Sequence, residues 1–164
     1  MNVVGAIEML YPNAVKLVDF VVRDEGKGQY IYEWNLPYPQ PTIEELANAQ
    51  LTYLKRVKKE DINARCQQTI LGGFTASNGH SYAFDFKDQD NFTQQMLFLV
   101  HDPTITEIPW NTNEGVVVHT RDEFLQVCQD ANAHKTGNFK KYWTLLAQLE
   151  SATTEDEINA IGWS

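Results

Sequence analysis

An α+β fold is predicted by three features of the chain. Threonine-led capping boxes open helical runs, at Thr42-Ile-Glu-Glu45 and Thr120-Arg-Asp-Glu123. Short runs of aromatic and β-branched residues end in glycine-bearing turns. A proline cluster, Pro37-Tyr-Pro-Gln-Pro41, separates the first such unit from the rest, because three prolines so close exclude both helix and central strand.

Taken in order, Val3, Val4, Ile7 and Leu10 follow helical spacing, and Tyr11-Pro12 ends that helix. Leu17 to Val22 has strand character, Asp24-Glu-Gly-Lys-Gly28 is a turn, and Tyr30 to Trp34 is a second strand. After the proline connector, Thr42 and Glu45 start a helix that runs to about Leu71. Its apolar positions are Ile43, Leu46, Ala47, Leu51, Leu54, Val57 and Ile62, a narrow stripe on a mostly polar helix. Such a helix either bridges two lobes or pairs with copies of itself.

The stretch from Ile70 to Phe92 organises the C-terminal part of the chain. Gly72-Gly73 stops the long helix, since glycine reaches left-handed backbone angles without a Cβ clash. Asn78-Gly79 marks a hairpin, and in Tyr82-Ala-Phe84-Asp-Phe86 the aromatics fall on every second residue and share one face. Asp88 or Asp90 then caps a short amphipathic helix with Phe92, Met96, Leu97, Leu99 and Val100, ending near His101-Asp-Pro103. A second hairpin spans Thr104 to His119 around Asn111-Thr-Asn-Glu-Gly115. Phe124, Leu125, Val127, Cys128 and Ala131 then face inward on a helix that Gly137 kinks or divides, and Phe139, Trp143, Leu146 and Leu149 continue it. A last short helix, capped at Thr153-Thr-Glu-Asp-Glu157, ends at Ile161-Gly-Trp163. The expected organisation is therefore a helix-plus-hairpin unit over 1–40, a connecting helix over 41–71 and a C-terminal α+β domain over 72–164.

Composition bounds the function. With 164 residues, 43% hydrophobic and 21% charged, the chain is long enough to bury a core. A net charge of −9, from 22 acidic and 13 basic residues, argues against non-specific binding to nucleic acid or to an anionic membrane. No apolar run approaches a membrane span, and Glu8 breaks the N-terminal segment, which lacks the basic start of a signal peptide. Cys66 and Cys128 cannot make a disulfide framework and read as reduced thiols, so the expected location is a cytoplasm, or a particle that leaves by lysis.

The sequence carries no complete motif for catalysis, metal binding or phosphate binding. His80, His101, His119 and His134 include no pair at metal-binding helical spacing. Asp85, Asp88, Asp90 and Asn91 invite a calcium loop, but Phe92 stands where an oxygen ligand is needed and Leu99 where a glutamate would close the site. Gly72-Gly73-Phe74 lacks the Gly-Lys-Ser/Thr of a phosphate loop, and Cys66 with His80 lacks a third orienting group. No cofactor, metal or catalytic residue is expected. Aromatic residues make up 12% of the chain, and those left exposed would suit a partner.

Two blocks resemble known families. Ala6-Ile-Glu-Met-Leu-Tyr-Pro12, Asp19-Phe-Val-Val-Arg-Asp-Glu-Gly-Lys-Gly28, Ile31-Tyr-Glu-Trp-Asn35 and Pro39-Gln-Pro-Thr-Ile-Glu-Glu-Leu46 look like the XkdW family of phage and defective-prophage proteins. Gly72-Gly-Phe74, Gly79-His-Ser-Tyr82, Asp85, Asp88-Gln-Asp-Asn91, Trp110-Asn-Thr112, Thr120-Arg-Asp-Glu-Phe124 and Glu157-Ile-Asn-Ala-Ile161 resemble a domain of unknown function found in phage tail-fibre and tail-fibre-assembly proteins. The resemblance implies a non-enzymatic tailed-phage protein, a chaperone or adaptor of the tail fibre. The alternatives are a permanent baseplate or fibre subunit of the virion and, from a different class, a small enzyme or metal-binding module. Its implied partner is a fibre or baseplate protein, met in the host cytoplasm during assembly or in the virion tail. For the contact itself, the sequence offers Leu51, Leu54 and Val57 on the long helix, which could also build a homo-oligomer, and the aromatic hairpin around Tyr82 and Phe84.

Overall fold

The computed structural model describes residues 1–163. Five helices and three antiparallel two-stranded hairpins alternate along the described residues, which is an α+β fold. The order is α1 (Val3–Leu10), β1 (Phe20–Asp24), β2 (Gln29–Trp34), α2 (Ile43–Leu71), β3 (Phe74–Thr75), β4 (Ser81–Tyr82), α3 (Phe86–His101), β5 (Glu107–Thr112), β6 (Gly115–Thr120), α4 (Arg121–Ser151) and α5 (Glu155–Ala160). The chain divides into two compact units, one of Met1–Asp61 with Leu146–Gly162, the other of Ile62–Leu145 with Trp163. Both divisions fall inside helices, α2 and α4.

In the first unit, Val3, Ala6 and Ile7 of α1 pack with Phe20, Leu46 and Ala49 into one buried cluster. Side chains satisfy the N–H groups that open α1. Asn2 Oδ1 accepts from the Gly5 N–H at 3.0 Å, Gln29 Oε1 from Val3 at 2.8 Å, and the buried Gln50 Oε1 from Asn2 at 3.1 Å. Gly5 is there for space: a Cβ would stand 2.7 Å from the Tyr53 ring, so only glycine lets that ring lie on the α1 backbone. The proline connector is held by aromatics. Tyr11 meets Trp34 edge-on at 5.3 Å and stacks on Tyr38 at 5.8 Å, and the Trp34 indole donates to the Tyr38 carbonyl at 2.7 Å. Lys55 Nζ donates to the Glu150 carbonyl and Lys58 Nζ to the Ile161 carbonyl, tying α2 to the C-terminal segment of this unit.

The expected strand from Leu17 starts later, at Phe20. Leu17 holds a left-handed φ of 71° while its N–H donates to the Phe20 carbonyl, and the Asp19 carboxylate accepts the Val15 N–H at 2.7 Å. This local turn takes the backbone groups a strand would have used. A bulge between Val21 and Val22 then resets the pairing with β2.

In the second unit, Phe74, Tyr82, Phe84, Phe92 and Phe124 form the heart of a cluster that also takes Cys66 and Ile70 from α2 and Val127 and Ala131 from α4. The β3–β4 hairpin turns at Asn78-Gly79, where Gly79 has φ +85°, and its tip is clamped by Asp130 Oδ2, which accepts from the Ser77 N–H and hydroxyl at 2.8 and 2.7 Å. Asp85, and neither Asp88 nor Asp90, is the N-cap of α3. Its carboxylate accepts from the Asp88 N–H at 2.9 Å, and Asp88 reaches back to the Asp85 N–H at 3.0 Å. Phe86 therefore belongs to the first turn of α3 and is exposed, so it does not share a strand face with Tyr82 and Phe84. Arg121 caps the other end of α3, donating to the carbonyls of Leu99, Asp102 and Ile105. Gly137 does not divide α4, which is continuous from Arg121 to Ser151. Ile43, counted in the apolar stripe of α2, lies just past the Thr42 cap and is exposed.

Candidate functional site

The surface of α3 is the most unusual feature of the second unit. At about 100° per residue, Phe86, Leu97 and Val100 share a face with Thr93, and Met96 lies beside them. Phe86 is 69% exposed, Leu97 55% and Val100 68%. Only Phe92 and Leu99 of this helix are buried, seven residues apart on the core side. Both ends of α3 are capped, Phe92 and Leu99 anchor its inner side, and its outer stripe is left apolar. On β6 the outward Val116 and Val118 are also exposed.

The first unit has a comparable patch. Val15, Leu17 and Val18 stand exposed on the turn before β1, and Leu17 is the one non-glycine residue with positive φ among the described residues. A left-handed leucine is disfavoured by about 1–2 kcal/mol, because its Cβ crowds the following carbonyl. Strain and apolar exposure thus coincide at one loop.

Several ionisable groups of the second unit are buried or hydrogen-bonded. The Tyr82 hydroxyl lies 3.2 Å from His119 Nε2 and accepts from the Asn78 amide at 2.9 Å. Burial holds the His119 imidazole below its ordinary range, against a smaller opposing pull from Glu123, and burial raises the Tyr82 phenol. Burial also pushes the Cys128 thiol up to about 11. Cys66 is buried and its thiol donates to the Asn138 carbonyl at 3.7 Å, while His80 sits 3.6 Å from Glu114. Both thiols stay protonated at neutral pH, which makes them poor nucleophiles. Among the described residues, no three His, Cys, Asp or Glu side chains gather where they could hold a metal ion. No described helix is long and apolar enough to cross a membrane.

Residues 53–162 match a family described as a domain of unknown function, DUF4376. This chain belongs to the DUF4376 family. Residues 3–58 match the XkdW protein family, so an XkdW domain precedes the DUF4376 domain. The phage-like element PBSX protein XkdW of Bacillus subtilis strain 168 is 50% identical over 46 residues, which are 28% of this chain and 42% of that protein. The uncharacterized protein YqcD of the same organism is 46% identical over 48 residues, covering 28% of this chain and 43% of YqcD. The chain thus spans less than half the length of the curated relatives it matches. The solution NMR structure of the PBSX XkdW protein matches at 46% identity over 29% of this chain and 80% of that one, with a TM-score of 0.28.

The residues singled out from the sequence fall in three kinds of place. Tyr82 and Phe84 are buried in the DUF4376 core, which corrects the expectation of an aromatic hairpin surface. Phe74 stacks on Tyr82 at 5.4 Å and meets Phe84 edge-on at 5.2 Å, so the aromatic face of the hairpin is used internally. Leu51 and Leu54 are half-buried in the first unit, and Val57 is exposed. Sequence reasoning misses the two apolar patches, on α3 and on the 15–18 turn. A signal for the first is in the sequence: α3 carries more large apolar residues than a single inward stripe can use.

Proposed function

We propose that this protein is a non-enzymatic bacteriophage tail protein that works as an adaptor or assembly chaperone of the tail fibre. Phage association is supported by the XkdW domain and its PBSX relative. The observation that carries the adaptor reading is that each family-matched region has its own exposed apolar patch: Val15, Leu17 and Val18 within the XkdW match, and Phe86, Met96, Leu97 and Val100 within the DUF4376 match. A protein that joins two others needs two such surfaces, and large exposed apolar residues cost solubility unless a partner covers them. The thiols held protonated and the buried imidazole favour a role without bond chemistry.

The test is capture of co-expressed fibre and baseplate proteins by the tagged full chain. Leu97→Asp should abolish capture of one partner and Leu17→Asp of the other, with each variant folded by circular dichroism. Retention of both partners by both variants would refute the adaptor reading. The second reading, a permanent virion subunit, predicts stoichiometric amounts in mass spectra of purified particles, whereas a chaperone acting in the host cytoplasm would be absent. Self-association through Leu51, Leu54 and Val57 belongs to the same proposal. Leu54→Asp should then convert any oligomer to a folded monomer in sedimentation runs, and an insoluble product would mark Leu54 as interior.

A further inference from the structure

We propose that the second unit carries a binding site for a neutral, hydroxyl-rich ligand, a saccharide, in the cleft between α3 and β5. Five carboxamide side chains line this cleft of about 370 Å³: Asn91, Gln94, Gln95, Asn111 and Asn113. Their side-chain amides make no hydrogen bond to any other described residue, so their donors and acceptors are open to a ligand. Each amide offers two N–H donors and a carbonyl acceptor. A sugar hydroxyl is likewise donor and acceptor together, so a cluster of uncommitted amides suits it better than it suits an ion.

Three further features narrow the ligand class. No lysine or arginine lines the cleft, and the carboxylate that does, Asp88, is already engaged with the Asp85 N–H at 3.0 Å, so the site is built for a neutral molecule. Trp110 lines it as well, half-buried and fixed by Phe92 and Phe124, both 4.8 Å away between ring centres. The C–H face of a pyranose packs on such a fixed indole, and Trp110 Nε1 has no acceptor among the described residues. Pro109 interrupts the β5 edge at the cleft and has no N–H to give, which disfavours an extended peptide adding as a further strand. The volume lies within the range of small-molecule sites, at the lower end of roughly 300–1,000 Å³.

The ¹⁵N-labelled full chain titrated with neutral trisaccharides, chitotriose and maltotriose among them, and sedimented with purified neutral cell-wall polysaccharide, tests this directly. Saturable shifts are expected at the carboxamide resonances and the Trp110 indole, unchanged at high salt because no charge pair is involved. Gln94 and Asn111 are exposed, so Gln94→Ala with Asn111→Ala leaves the backbone spectrum intact. This double variant should weaken binding about tenfold or more, the loss of two hydrogen-bonding groups. Shifts with free trisaccharides alone identify a soluble sugar as ligand, and co-sedimentation identifies a surface glycan; either supports the site. The proposal is overturned if no sugar moves these resonances, if the double variant binds as well as the parent, or if only a neutral extended peptide moves them. None of these outcomes depends on fibre capture, so the site and the adaptor reading stand or fall separately.

Discussion

Replacing Gly73 by alanine should damage the second unit far more than the same change at Gly79, although both glycines have positive φ, +92° and +85°. At Gly79 nothing lies within 4 Å of a would-be Cβ, so the variant carries only the left-handed backbone penalty of about 1–2 kcal/mol. At Gly73 the Cβ would stand 2.5 Å from the Tyr82 carbonyl oxygen, where 3.4 Å begins ordinary contact, a shortfall of 0.9 Å. That neighbour is backbone, and Tyr82 pairs with Phe74 in the β3–β4 hairpin, so relief requires the hairpin to open. Overpacking of this kind adds about 1–3 kcal/mol, for a total near 2–5 kcal/mol at Gly73. Urea unfolding followed by both tryptophan fluorescence and far-ultraviolet dichroism would measure the difference, with coincident curves checking two-state behaviour. Amide exchange should rise at Phe74 and Tyr82 in Gly73→Ala alone. Equal destabilisation of the two variants would show that the close approach at Tyr82 has no energetic weight, and the reasoning would fail.

Three other outcomes are expected from the same geometry. Gly5→Ala, which on a free helix would gain about 1 kcal/mol in propensity, should instead destabilise, because its Cβ meets the Tyr53 ring at 2.7 Å; a higher melting temperature would contradict this. His119 titrates lower when folded than when unfolded, so its contribution is complete above the ordinary histidine range, near pH 6.5, and is lost as pH falls through the depressed folded value. Unfolding free energy should therefore fall as pH is lowered below about 6.5 in the parent, and fall less in His119→Asn. Cys128, with its thiol near 11, and the buried Cys66 should resist iodoacetamide at pH 8 in the native protein and react in urea, as mass spectrometry of the alkylated peptides would show.

Local chemistry fixed much of this molecule before any packing. The Thr42–Glu45 and Thr154–Glu157 boxes, the Asn78-Gly79 turn and the long run from Ile43 to Leu71 are set by neighbours within a few residues, and they stand where such neighbours put them. The same locality explains the misplaced α3 cap: Asp85, Asp88 and Asp90 are chemically alike, and only the three-dimensional path out of β4 selects Asp85. Gly137 shows the limit of propensity, since its cost was too small to break a helix anchored by Ala131 and Leu145.

The sequence by itself determined the order of the elements, the threonine-led caps, the Asn78-Gly79 turn and the mixed α+β class, because those depend on contacts close along the chain. It could not say which apolar residues are spare. Tyr82 and Phe84 look as available as Leu97 and Val100 when read in line, but the former are covered by Phe74, which meets them across the hairpin, and the latter by nothing in the described chain. Tertiary structure alone decided that, and with it the gathering of five amides from α3 and the β5 hairpin around Trp110. Exposure is a property of the surface opposite, and residues far away in sequence bring that surface into place.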